Sequence, residues 1–461
     1  MGLSAAMEIG KNGLTIYRVA SEVTSENIAN VNTPGYSRQR VLLETAPPTT
    51  HNGFPMGTGV RIATVERYYD GLLQQQLVKA QTTQGFDTTK SSVLQQIEPT
   101  FNEVANDGLG AAITNFFGAW QDLTLNPAGA AERQALLSRT QILSDNFKAV
   151  STTLTDAINT QNSALVPLTD SINATLKNIA QLNEQIKTTE LVSGNANEIR
   201  DQRDQLVRDL SKQIGITYTE NSDGTTDINY ADGGAALVTG ADAGAFSLAV
   251  NAGSGLYDVS VTPPGGVAAL VAPLTGQLGA TVALRDTIIP GYLARVDALA
   301  STIAAEVNTQ HKLGFDLSGA AGVDFFTGTT AATISLNSAG ITGTDKIAAS
   351  GNALLLGDNS NALKLAQLQG KQAMSAGTAS FGSYYNGLVS LIGLDVQSSK
   401  TTVAQDEAFT RQLTTLRESN SGVSLDEELT NLVKYQRSYQ ASAKLITTAT
   451  EMMDTVINLI R

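Results

Sequence analysis

SLDEELTNLVKYQRSYQASAKLITTATEMMDTVINLIR, residues 424–461, is the stretch that decides the fold. Leu425, Leu429, Leu432, Gln436, Tyr439, Ala443, Ile446, Thr450, Met453, Ile457 and Ile460 follow one another at alternating steps of four and three. That spacing is the signature of a long helix presenting a seam to another helix. Ser424 and Glu427 have the spacing of a capping box, which predicts a defined start. At 1.5 Å per residue the helix spans about 55 Å, with polar breaks in the seam at Gln436 and Thr450.

The other end of the chain has a related rhythm. Leu3, Met7, Leu14, Tyr17, Ile28 and Val31 share a heptad frame, interrupted by Gly10, Ser21 and Thr24, while Ile9, Ile16 and Val23 form a second apolar line. Gly10 and Gly13 each weaken an isolated helix by about 1 kcal/mol, so this segment needs a partner. Periodicity leaves two readings open: the end helices pair within one chain and do nothing more, or they also make contacts in a polymer.

Charge divides the chain in the same way. Residues 1–40 carry four basic and three acidic side chains, and residues 424–461 carry four and five, so the net charge of −13 belongs to the middle. Near-neutral ends pack against other helices, whereas an acidic middle repels itself and stays dissolved. A net negative chain is a poor partner for nucleic acid, and no apolar run approaches membrane-spanning length, so neither nucleic acid nor membrane is expected as a partner. The start, Met1-Gly2-Leu3-Ser4, shows no basic segment followed by an apolar one, so no signal peptide is expected.

Between the ends, 91–215 reads mainly as helix, with Pro167 marking a start or kink. Ile216–Glu220 and Thr225–Tyr230 flank Asn221-Ser222-Asp223-Gly224, a hairpin signal, and short extended runs continue to about Val271. Helical spacing returns from Gly276 through Val307, with a kink expected at Pro290. A second Gly- and Ser-rich patch at 314–360 is read as another part of the same β region, and helices resume from Tyr384. The fold class is therefore mainly α with an inserted small β domain. Residues 1–85 and 400–461 form a terminal coiled-coil region, 86–215, 276–313 and 361–399 a helical bundle, and 216–275 and 314–360 a β-rich domain.

No catalytic, metal or cofactor site is expected. The chain has no cysteine, which excludes thiolate chemistry and cysteine-bound zinc. His51 falls in a loop and His311 near a helix end, where a cation is favoured by the helix dipole; neither has ligand spacing to a partner. Gly-rich stretches such as Gly233-Gly234 lack the pattern that cradles phosphate. Asp426-Glu427-Glu428 lies in a first helical turn, where negative charge is stabilising. In the 200s, Arg200, Asp204 and Arg208 are four apart, which predicts mutual support along one helix of a few tenths of a kcal/mol. Ile199, Leu206, Leu210 and Ile214 form that helix's apolar side.

The most specific motif is Asn27-Ile28-Ala29-Asn30-Val31-Asn32-Thr33-Pro34-Gly35-Tyr36. Asn30 and Asn32 tolerate the left-handed conformation that ends helices, and Pro34-Gly35 suits the centre of a type II turn before an extended run at Ser37–Glu44. The motif resembles the signature of bacterial flagellar rod, hook and hook-associated axial proteins. Ala131–Leu137, Asp201–Val207, Val307–His311, Asp324–Phe326 and Ser421–Glu428 through Tyr435–Ala441 are similar to the hook-associated members; nothing is recognised in about 221–275 or 327–380.

That resemblance implies a structural subunit at the junction of hook and filament, assembled through its terminal helices, with the inserted domain facing outward. It implies Asn27, Ile28, Ala29, Asn30, Thr33, Pro34, Gly35 and Tyr36 as the axial signature. The assembly seam would be Leu3, Met7, Leu14, Tyr17 and Ile28 with Leu425, Leu429, Leu432, Tyr439, Ile446, Met453, Ile457 and Ile460. Expected partners are copies of the same chain, the hook protein, a second junction protein (hook-associated protein 3) and an export chaperone at the C-terminal helix. The expected location is extracellular, in the flagellum, after export through its channel. A hook or distal-rod subunit is the alternative within the family. An enzyme with axial-type ends is the alternative outside it, and the scarcity of His, Glu and Tyr in 216–275 argues against it.

Overall fold

The computed structural model describes residues 2–51, 54–102, 108–355 and 357–459. The chain divides into two compact units. One comprises Met1–Gly85, Leu168–Gly276 and Asp406–Arg461; the other comprises Phe86–Pro167 and Gln277–Gln405.

In the first unit, α1 (Gly2–Ala29) leads through the signature turn into β1 (Gln39–Thr45). Strands β2 (Thr49–His51) and β3 (Phe54–Met56) pair with each other, and β4 (Val60–Arg67) returns antiparallel to β1 with a register break at Leu42/Leu43. His51 was expected in a loop; its backbone belongs to β2, and its side chain lies outside the described residues. Helix α2 (Gly71–Ile97) follows, and its first half belongs to this unit, as do the later part of α4 (Ala130–Ser193) and all of α5 (Asn197–Gln213).

The expected hairpin forms between β5 (Ile216–Glu220) and β6 (Thr226–Tyr230). Its turn places Gly224 at φ 82°, the left-handed region that favours glycine, and the Asp223 carboxylate accepts from the Thr225 N–H at 3.2 Å. β7 (Ala236–Thr239) and β8 (Asp242–Ala243) complete a four-stranded meander; β9 (Ala245–Val250), β10 (Tyr257–Thr262) and β11 (Ala269–Leu270) make a three-stranded sheet. Two buried or half-buried amides on α4 tie these sheets down. Asn183 bonds the Thr226 carbonyl and N–H and the Gly240 carbonyl, and Asn173 bonds both backbone groups of Phe246. Residues 168–275 therefore group with the chain ends, not with the bundle, because these amides and α5 bind the sheets to the same α4 segment.

The second unit has an aromatic core. Helix α3 (Leu109–Leu125) contributes Phe116, Phe117 and Trp120, all fully buried. Trp120 lies 5.4 Å from Phe325 between ring centroids, and Phe117 stacks on Phe381 at 5.6 Å. α6 (Gly276–Ala283) joins α7 (Ile289–His311) through a π-helical turn at Leu284–Ile288. The kink expected at Pro290 takes this form: proline brings no N–H, and a wider turn just before it removes the need for one. After α7, β12 (Phe326–Thr327) and β13 (Ser335–Leu336) pair, then α8 (Ser360–Gln367) and α9 (Phe381–Ser421) follow; α10 (Leu425–Leu459) returns to the first unit.

The patch at 314–360 corrects the sequence expectation. It belongs to the helical unit and not with 216–275, and among its described residues the strands are two residues each. Its Gly-rich turns carry Phe325, Phe326, Ile334, Ile341 and Ile347 into the helical core, and that burial decides where it packs. His311 is part of the same arrangement. It is completely buried, with Nδ1 2.6 Å from the Val323 carbonyl and Nε2 accepting from the Ala348 N–H at 2.9 Å. Burial lowers its pKa to about 4, so it is a neutral staple across the turns and not a cation at a helix end.

Candidate functional site

The first unit gathers the signature, the β1–β4 hairpin, α5 and the start of α10 around a buried polar node. Asn27, in the last turns of α1, is at its centre. Its amide donates to the Gln39 carbonyl at 2.9 Å and to Glu428 at 3.1 Å, and its oxygen accepts from the Gln39 N–H and the Tyr36 hydroxyl, both at 2.9 Å. One side chain thus pairs with β1 as a strand would, and also reaches the signature tyrosine and α10. A buried amide with all four bonds made is stabilising, and any apolar substitute would orphan both backbone groups of Gln39.

The turn itself is as expected at Pro34-Gly35 and differs at the asparagines. The Tyr36 N–H donates to the Thr33 carbonyl at 3.2 Å, and Gly35 has φ 85°, matching the third position of a type II turn. Neither Asn30 nor Asn32 is left-handed. The chain leaves α1 through hydrogen-bonded turns, with the Thr33 hydroxyl on the Asn30 side-chain oxygen at 3.0 Å and the Asn30 amide on the Glu26 carbonyl at 3.1 Å. Pro34, Thr33 and Ala29 are exposed, and Ile28 is half-buried.

Asp201 of α5 then takes the chain leaving the turn. It accepts from the Ser37 N–H at 2.7 Å, the Ser37 hydroxyl at 2.8 Å and the Arg67 guanidinium at 2.6 Å. Arg67 also reaches Asp204 at 2.8 Å. Burial opposes the charge on Arg67, but Asp204 and Asp201 outweigh it and hold its pKa above the usual value. Arg38 joins the node to α10, at 2.6 Å from Glu427 and 2.7 Å from Glu428, with Tyr68 beneath its guanidinium at 5.3 Å. The Glu427 carboxylate therefore goes to Arg38 and is not the return half of a capping box.

The charge spacing expected along α5 is likewise redirected. Arg200 pairs with Glu190 at 2.6 Å and with Glu220, Asp204 pairs with Arg67, and Arg208 donates to Gln74 at 3.0 Å. These are contacts between elements, not along one helix. On the apolar side, Leu210 and Ile214 are buried with Val207, and Ile199 and Leu206 are half-buried. The two most specific stretches of the sequence, 27–36 and 201–207, are thus halves of one buried junction. Arg38, Gln39, Arg67 and Glu428 were not legible as members: each is an ordinary charged or polar residue until the fold supplies its partner.

The end helices pair antiparallel. Gly10 faces Ile446, Gly13 faces Ser442, and Tyr17 stacks on Tyr435 with centroids 6.4 Å apart. A Cβ on Gly10 would sit 2.7 Å from Ile446 Cγ1, so the glycines that weaken α1 alone allow its close approach to α10. The expected seam divides. Leu3, Met7, Leu14, Tyr17, Leu432, Ile446 and Met453 are half-buried, and the fully buried line on α1 is Gly10, Ile16, Ala20, Val23, Thr24 and Asn27. Leu425, Leu429, Tyr439 and Ile457 are 45%, 51%, 41% and 54% exposed; Ile460 lies outside the described residues.

Comparison with known proteins gives a consistent result. The model of the flagellar hook-associated protein FlgK helical domain matches residues 94–326. Models of the flagella basal body rod protein and of the flagellar basal body rod FlgEFG protein C-terminal region match 7–36 and 417–459, which contain the signature and α10. Flagellar hook-associated protein 1 of Bacillus subtilis is 29% identical over 98% of this chain and 97% of its own length. That of Escherichia coli is 28% identical over 99% and 100%. The solved flagellar hook junction protein FlgK from Burkholderia pseudomallei shares the fold, with TM-score 0.69 and 18% identity over 75% of this chain and all of that one. The chain belongs to the flagellar hook-associated protein family and is a structural, non-enzymatic subunit of the bacterial flagellum at the hook–filament junction.

Proposed function

We propose that the subunit assembles through the faces of α1 and α10 that their mutual packing leaves uncovered. The observation that carries this reading is that Leu425, Leu429, Tyr439 and Ile457 stay exposed along a helix that already packs against α1. Large apolar residues repeating along a helix face are costly in water and mark a contact surface. The occupants are neighbouring axial subunits: copies of this chain, the hook protein on one side and hook-associated protein 3 on the other. Before assembly the same face is the place for an export chaperone, and the subunit acts outside the cell after passing the flagellar channel. The signature residues, Asn27 to Tyr36, set the direction in which the end helices leave the rest of the unit, and 216–275 forms the outward part.

Leu429→Asp tests this. The residue is exposed, so the variant should melt as the unaltered protein does, be secreted in normal amount, and fail to join hook to filament. Normal filament growth on hooks carrying the secreted variant would remove this face from the assembly surface. Ile446→Asp is the poorer probe, because Ile446 packs on Gly10 within the chain.

A further inference from the structure

The polar node pairs most of its charges and leaves two arginines out. Arg208 of α5 is only 6% exposed, yet its bonds go to neutral oxygens, Gln74 at 3.0 Å and Gln205 at 2.7 Å. Arg417, near the end of α9, donates to the Gly35 carbonyl at 2.7 Å. Both guanidiniums therefore meet at the signature turn, where a Cβ on Gly35 would sit 3.3 Å from Arg208 Nη2. Among the described residues neither arginine forms an ion pair.

The carboxylates around them are already committed. In the cleft that the two arginines share, Asp201 and Asp204 hold Arg67, and Asp70 accepts from the Leu73 N–H at 3.1 Å at the start of α2. Asp209 is tied to Lys212 at 3.3 Å and to the Gln205 amide at 3.1 Å. A buried charge with no counter-charge in contact is costly, and such charges are normally paired. Burial and, after it, Arg417 hold the pKa of Arg208 below its usual value, so the two guanidiniums act on each other. Arg417 is half-buried and also lines a cavity of about 400 Å³ between the signature turn and the end of α9. Asn32 on that lining is exposed, and its side chain bonds to nothing among the described residues. Glu418, the carboxylate on the same lining, is exposed and is not paired with Arg417.

We propose that Arg417, with Arg208 behind it, receives an acidic side chain from a neighbouring copy of this chain, seated in the cavity beside the signature turn. The proposal rests on the reading that copies of the chain meet in the assembly. Charge decides the occupant. Each copy carries a net charge of −13, so its neighbours offer carboxylates in excess of cations. A guanidinium fork beside an asparagine amide fits a carboxylate, which accepts two parallel N–H bonds from the one and a third from the other. The incoming charge is the counter-charge that this chain does not itself supply to Arg208.

Zero-length carbodiimide cross-linking of purified hook–filament particles tests this with the full chain. Arg417→Lys puts an amine at the site, which the reagent joins to any carboxylate in contact with it. The expected result is a product of two chain masses, absent from the unaltered protein, with position 417 linked to an Asp or Glu of another copy. Arg417→Gln keeps a donor for the Gly35 carbonyl without the charge. It should melt and be secreted as the unaltered protein is, while the fraction of hooks bearing filaments falls about tenfold. Glu418→Gln should leave that fraction unchanged. No link at position 417, a link only within its own chain or to another protein, or normal filament joining by Arg417→Gln would each overturn the proposal. So would equal failure of Arg417→Lys and Arg417→Gln, which would assign Arg417 to holding the turn alone. Leu429→Asp reads the α10 face separately, so either idea can fail without the other.

Discussion

The aromatic core of the helical unit and the pair formed by α1 and α10 bury their apolar residues to opposite degrees. Phe116, Phe117, Trp120, Phe325 and Phe381 are closed off from water by their own chain. Among the described residues of α10 only Glu428 and Ala449 are fully buried, and Leu425, Leu429, Leu432, Leu445, Tyr435, Tyr439, Ile446 and Ile457 are half-buried or open. The first region is complete as a folded object. The second has its backbone bonds made and its direction fixed, yet keeps apolar area in reserve. A subunit that joins others needs both: a body that survives alone and ends whose full burial waits for neighbours.

Three measurements probe that contrast. The largest effect is expected from Trp120→Ala, which empties a site with no exposure and should destabilise the helical unit by about 3–5 kcal/mol. Its thermal transition should fall well below that of the unaltered protein. If instead the transition stayed put, the core would not be self-sufficient and the contrast would fail.

An intermediate effect is expected from acid. His311 is held neutral at about 4 against an ordinary 6.5. Its contribution is therefore complete above about pH 6.5 and shrinks as pH falls towards 4, by up to about 3 kcal/mol. Denaturant titrations of the unaltered protein and of His311→Gln should differ in slope within that window and run parallel above it. Parallel curves throughout would mean that the staple is not what acid opens.

The smallest effect is expected from Gly10→Ala. Alanine favours helix by about 1 kcal/mol, but its Cβ meets Ile446, and overpacking costs about 1–3 kcal/mol. The net outcome should be a slight loosening, seen as faster hydrogen exchange in residues 2–29 with no change in the helical unit. Slower exchange there would show that α1 is limited by its own helix propensity and not by its contact with α10.

Local pattern carried a large part of this fold. Heptad spacing placed α10, Pro34-Gly35 placed the signature turn, and Asn221–Gly224 placed the β5–β6 hairpin, because each depends on neighbouring residues and on backbone preferences written into them. The mainly helical class and the absence of cysteine chemistry followed from composition and period alone. What the tertiary structure decided was pairing across long separations. Asp201 and Asp204 look like helix-surface carboxylates until Arg67 and Ser37 arrive, and Glu428 looks like a dipole partner until Asn27 and Arg38 do. The Gly- and Ser-rich stretch at 314–360 looks like β structure until its phenylalanines enter a helical core. Spacing fixes which residues share a face, but the partner of that face is chosen by the burial and charge pairing of the whole chain, which no local pattern contains.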